Sequence, residues 1–226
     1  MTPDLTLVSL HRERSMLHVC MADERRRNAL SVQMTADLRS ALNELGDAAA
    51  ITLFSKGPHF CAGGDHDEVA TLTSEQMRTY QADLGAVFTA LGDCPVPVVV
   101  AVQGRAIGGG TELAARADFV VAERSAVFAL PQIPMGIGVT NGMVRILVAR
   151  CGLGFARRML LRGERITAVE AHERGLVDVL VGDGDSRGVA IAIAEELAAR
   201  SGSAMSRARA ALARVVAGSP ARPAVG

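Results

Sequence analysis

The stretch "AVQGRAIGGGTELAARADFVVA", residues 101–122, leads from one apolar strand through a glycine turn and a short helix into a second strand. Its first residues close the continuous apolar run Val98–Val102, the pattern of a strand covered on both faces. Gly108, Gly109 and Gly110 then run into Thr111 and Glu112. A Walker A loop needs GxxxxGK followed by Ser or Thr. Gly104 and Gly109 have that spacing and Thr111 supplies the hydroxyl, but Gly110 stands at the lysine position. Without the lysine nothing reaches the terminal phosphates, and the dinucleotide pattern GxGxxG is not matched either. Two readings stay open on the residues alone. The glycines permit a tight strand-to-helix turn, or they expose N–H groups that stabilise a developing oxyanion beside Glu112.

Outward from this stretch, strands alternate with helices. Residues 5–10 and 16–21 are β-rich and read as a hairpin. Ser31 is an N-cap candidate before a helix over 31–45 with apolar Met34, Leu38, Leu42 and Leu45. Residues 51–55 are a buried strand, and 56–68 are a breaker-rich loop. Thr73 with Gln76 predicts a capping box opening a helix to about Leu91. "FVVAE" and "AVFAL" are strand-like, as is "LVDVLV" over 176–181. Helices are expected at 141–150, 155–161, 167–174 (with a second capping box, Thr167 to Glu170), 188–200 and 203–216. The terminal "AGSPARPAVG" reads as a loose tail. The order predicts an α/β core over residues 1–182 and a short helical region over 183–226.

Charge is balanced, 24 basic against 24 acidic residues, so no nucleic-acid partner is expected. Apolar runs stop short of a membrane span and the first residues lack a signal-peptide core, which predicts a cytoplasmic protein with no membrane contact. Cys20, Cys61, Cys94 and Cys151 are scattered without a CxxC pair, which predicts core thiols rather than a disulfide or metal framework.

Four motifs, "HFCAGGD" (59–65), the stretch quoted above, "FALPQIPMG" (128–136) and "ITAVEAHERGLVDVLV" (166–181), resemble in order the signatures of the enoyl-CoA hydratase/isomerase, or crotonase, superfamily. The resemblance implies a spiral of ββα units followed by helices that build trimers or dimers of trimers. It implies an acyl thioester of coenzyme A as substrate, with no cofactor beyond the CoA of the substrate itself and no metal; a more open pocket, left by a short C-terminal region, would also suit an acyl-carrier protein. It also implies that the C-terminal helical region is shortened relative to the family.

Carried over residue by residue, the thioester oxygen would lie between the N–H groups of Ala62 and Gly109. Gly63, Gly64 and Asp65, with Gly108, would line the CoA pocket. Arg26, Arg27 and Ala29, in "RRRNAL", would touch the nucleotide end, although a solvated charge run is the plainer reading of those arginines. Glu112 matches one of the two glutamates with which hydratases add water. The second lies in a Pro-Glu pair, where this chain has Pro131-Gln132. A carboxamide orients water but exchanges no proton at neutral pH. The reading is therefore an acyl-thioester lyase or isomerase with Glu112 as acid/base and Gln132 opposite. The alternatives are a decarboxylase or dehydratase, or a thioester-binding subunit of weakened activity. His59 and His66 flank the loop as titratable neighbours. Asp65 is expected to fix the loop by bonding its backbone, and Phe60 and Cys61 to pack; Asp118, Thr140 and Asn141 are close enough in sequence to reach the acyl pocket, which the sequence does not decide.

Overall fold

A computed structural model describes residues 5–200, 202–216 and 218, Asn141 by its backbone alone. The predicted tail over 217–226 lies outside the described residues except for Gly218. The hairpin is β1 (Val8–Glu13) against β2 (Met16–Met21), antiparallel with Leu10 opposite Val19. It begins three residues later than the apolar pattern suggests. Thr6 and Leu7 turn their N–H groups to Asp37 Oδ2, at 2.8 and 2.6 Å, and Leu7 meets the hairpin through its carbonyl, which accepts from Ala22 N at 2.8 Å.

Ser31 caps α1 (Val32–Asn43), its hydroxyl accepting from Met34 N at 3.0 Å. β3 (Ala50–Ser55) follows. Inside the breaker-rich loop the chain makes one short helix, α2 (His66–Val69), capped by Asp65. The reciprocal Thr73–Gln76 box then starts α3 (Ser74–Gly92). Next come β4 (Val98–Val102), β5 (Arg105–Ile107), α4 (Gly109–Ala115), β6 (Phe119–Glu123) and β7 (Val127–Ala129). The two helices expected after residue 141 are the arms of α5 (Asn141–Arg162), broken at Gly152 with φ 79° and ψ 159°. β8 (Ile166–Thr167), α6 (Ala168–Glu173), β9 (Val179–Val181), α7 (Ser186–Ala199) and α8 (Ser203–Val216) complete the order. The second capping box forms by half. Thr167 accepts from Glu170 N, but the Glu170 carboxylate pairs with Arg158 Nη1 at 2.8 Å instead of returning to the cap.

Six strands form one sheet in the order β1-β2-β3-β4-β6-β9, parallel except at β1. β5, β7 and β8 form a second, smaller sheet. Each pass of the chain visits the large sheet, then the small layer, then a helix, as in β4-β5-α4 and β6-β7-α5. Earlier passes touch the small layer through single parallel bridges, Leu30 with Gly64 and Cys61 with Ala106. This is the spiral of ββα units expected above.

Strand alternation sorts the core into two clusters. Val98, Val100 and Val102 join Leu17, Val19, Ile51 and Leu53 on one face, over which α1 and α3 pack. Val99 and Ala101 join Met16, Ala50, Phe54 and Val121 on the other, covered by α7 through Ala190 and Ala194. α8 is tied back by Arg209, whose Nε donates to both carboxylate oxygens of Asp118 at 2.8 Å. Among the described residues no helix is long and apolar enough to cross a membrane.

Candidate active site

The small layer decides where the two glycine-rich turns meet. Cys61 N donates to Arg105 O at 3.0 Å and Ile107 N donates to Cys61 O at 3.0 Å, which locks "FCAGG" beside β5. Leu30 N donates to Gly63 O at 2.7 Å, which adds "RRRNAL" on the other side. Gly63, at φ +90°, brings its backbone so close that an added Cβ would lie 2.7 Å from Ile107 O and 3.7 Å from Gly109 N. Gly110 is packed as tightly, with an added Cβ 2.5 Å from Cys61 O. Residues distant in the chain are thus adjacent in space because backbone bonds join them.

A cavity of about 490 Å³ opens at this junction, within the range usual for small-molecule sites. Ala62, Gly63, Gly64, Gly108, Gly109, Glu112 and Gln132 all line it. So do Leu30, Leu84 and Phe88, which make much of the wall apolar. Thr140 reaches it; the Asn141 side chain lies outside the described residues. Asp118 does not. It accepts from Val98 N and pairs with Arg209, and it lines a different cavity because it follows α4 at the end away from the glycines.

Glu112 is 3% exposed and is the one carboxylate among the described residues that line the cavity. Its Oε1 accepts from Arg116 Nη2 at 2.7 Å and from Thr140 Oγ1 at 2.8 Å. Gln132 lines the same cavity, its amide near Gly108, and its Oε1 is buried with no hydrogen-bond partner among the described residues. The Gly109 N–H donates to no acceptor among the described residues. The Ala62 N–H, by contrast, is already engaged, donating to Arg27 O at 3.1 Å.

Other predicted residues take supporting positions. Asp65 accepts from Glu68 N and from Arg26 Nη1 at 3.0 Å, and so fixes its loop as expected. Arg26 is therefore held by carboxylates, Glu68 included, whereas Arg27 forms no ion pair among the described residues. Arg27 and Asn28 both adopt left-handed backbone. Ala29 is buried behind them, 6% exposed. His66 lines the cavity; His59 lies outside it, its buried Nδ1 without a partner among the described residues. Phe60 and Cys61 are fully buried, and burial pushes the Cys61 thiol up to about 12, so little thiolate forms while it stays enclosed.

Three residues that support the site do not stand out in the sequence. Asn28 accepts from Asp23 N and donates to Lys56 O and His59 O, tying two loops together. Tyr80 donates its hydroxyl to Leu30 O at 2.7 Å, and burial pushes it up to about 12. Arg116 follows Glu112 at a helical i, i+4 spacing, which was its only visible signal.

Spiral and cavity together define the crotonase class of fold. A family model described as enoyl-CoA hydratase/isomerase matches residues 11–222. The chain is 34% identical over 179 residues to cyclohexa-1,5-dienecarbonyl-CoA hydratase of Thauera aromatica, covering 78% of this chain and 67% of that one. It is 37% identical over 140 residues to methylglutaconyl-CoA hydratase 1 of Pyricularia oryzae, covering 62% of this chain and 40% of that one. The crystal structure of an enoyl-CoA hydratase from Bacillus anthracis matches with a TM-score of 0.86 at 31% identity, over 94% of this chain and 84% of that one. The chain spans between 40% and 70% of the length of the first curated relatives it matches. It belongs to the enoyl-CoA hydratase/isomerase family.

Proposed function

We propose that the protein is an acyl-CoA lyase or isomerase that forms a thioester enolate, with Glu112 as its acid/base group. The observation that carries this reading is a single carboxylate, Glu112, in a largely apolar cavity also lined by the neutral amide of Gln132 and by Gly109, whose N–H has no acceptor among the described residues. The acyl carbonyl docks at Gly109, with Ala62 as second donor once Arg27 O gives way. Glu112 Oε2 takes the α-proton as the C–H electron pair moves into the thioester and negative charge gathers on its oxygen. A single N–H donor at such an oxygen is worth about 2.7–4 kcal/mol. The proton then returns from Oε2 to another carbon, which moves a double bond, or to a departing 3-hydroxyl, which releases water. Gln132 holds that hydroxyl or water by hydrogen bonds and exchanges no proton.

Product analysis by mass spectrometry over enoyl-, 3-hydroxyacyl- and malonyl-type CoA thioesters tests the reading and separates isomerisation, dehydration and decarboxylation. Glu112→Gln should lower turnover on the active thioester by about 10²–10⁴-fold while thioester binding persists. Near-normal turnover in that variant excludes the assignment. The same reading carries assembly as a homotrimer or a dimer of trimers, to be measured by sedimentation.

A further inference from the structure

The carboxylate facing the cavity is gripped from behind. Arg116 lies one helical turn after Glu112 and is absent from the lining of the substrate cavity; it lines a second cavity of about 610 Å³ beyond. It is no ordinary surface arginine. Its side chain is 15% exposed, and its guanidinium lies 5.5 Å from the Phe88 ring centroid. An added Cβ at Gly142 would overlap Arg116 Nη2, so the start of α5 leaves just enough room for the pair. Its Nε is buried without a partner among the described residues, a cost that makes an incidental placement a poor explanation.

The geometry divides the two oxygens of Glu112. Oε1 is fixed by Arg116 and Thr140, while Oε2 accepts from no described residue. Two donors on one oxygen suppress rotation of the carboxylate. Arg116 also balances its charge inside an apolar wall.

We infer that Arg116 is the positioning residue of the site: it pins Oε1 of Glu112 so that Oε2 alone meets the substrate. This rests on the reading of Glu112 as the acid/base group. The proton leaves the α-carbon for Oε2 and returns from Oε2. Arg116 keeps its own protons throughout.

Deuterium uptake at the α-carbon of butanoyl-CoA in D₂O tests this, with binding of butanoyl-CoA followed by calorimetry. The unmodified protein should exchange and Glu112→Gln should not. Arg116→Met should lower the exchange rate about 10–100-fold, as displacement of a catalytic group by an ångström does, with the dissociation constant within about twofold. Arg116→Lys, a point charge without the planar fork, should recover part of the rate. Glu112→Gln with Arg116→Met should be no slower than Glu112→Gln alone. Should Arg116→Met fail to fold, Arg116→Lys decides by a several-fold loss of rate at unchanged binding. Normal exchange in Arg116→Met, or in Arg116→Lys if only that variant folds, overturns the role of Arg116 and leaves that of Glu112 standing. Exchange surviving in Glu112→Gln, or none in the unmodified protein, overturns both.

Discussion

Gly63 admits no other residue at the junction, since its left-handed backbone and the nearby Ile107 carbonyl leave no room for a side chain. Gly63→Ala is expected to lower stability by about 1–3 kcal/mol, seen as a lower urea midpoint at unchanged slope. Thioester binding should weaken with it, because the same carbonyl belongs to the turn that carries Gly109. At this scale the sequence was informative about residue type and less so about partnership. Glu112 and Gln132 face one cavity as read, since the glycine motif and the Pro-Gln turn mark them locally. That Arg26 is held by Asp65, that Ala62 is hydrogen-bonded to Arg27, and that Arg116 grips Glu112 are consequences of neighbours remote in sequence or of rotamer. Only the i, i+4 spacing of Glu112 and Arg116 is visible locally, and it does not say which carboxylate oxygen is held.

Among the elements, β2 carries a titratable group under load. His18 is 6% exposed, bonded to Thr52 Oγ1 at 2.7 Å and stacked on His11 at 5.9 Å. Burial foremost, then His11, holds it below its ordinary 6.5; Arg187 acts the same way, and Glu13 and Glu195 oppose. Because the folded state resists the proton, its stabilising contribution is whole above pH 6.5 and declines as pH falls below that value. Urea midpoints at pH 7.5 and 5.5 should therefore differ, and His18→Gln should flatten the difference. A midpoint independent of pH would count against this assignment. The elements themselves were largely legible. Long periodic segments such as α1 and α3, and the apolar run of β4, speak through pattern alone. β5 and β8 were not legible, since Arg105–Ile107 and Ile166–Thr167 are too short to show a period. They exist because the small layer supplies their partners.

Over the whole molecule, the end of the described chain is joined to its middle. Asp118 receives Val98 N from β4 and Arg209 from α8, so one carboxylate links the large sheet to the last helix. Removing one member of such a largely buried pair leaves the other uncompensated. Arg209→Met should make α8 the first site of limited proteolysis, with cleavage inside Ser203–Val216 mapped by mass spectrometry. Cleavage elsewhere first would show that α8 is held by other contacts. This connection was invisible in the sequence, where Asp118 reads as a neighbour of Glu112 and Arg209 as one of several arginines on a polar helix.

The backbone seam between Cys61 and β5 has a practical consequence, because it surrounds a thiol that reports on its own enclosure. Cys61 is fully buried at the joint of the two glycine turns, whereas Cys94 is buried elsewhere and Cys151 is partly open. A thiol reagent reaches Cys61 only when that seam parts, so its labelling rate, resolved by peptide mapping, times the breathing of the cavity wall. A thioester lodged against the wall should slow Cys61 and leave Cys151 unchanged. The protein thus carries a built-in clock for the opening of its own cavity, readable without any introduced probe.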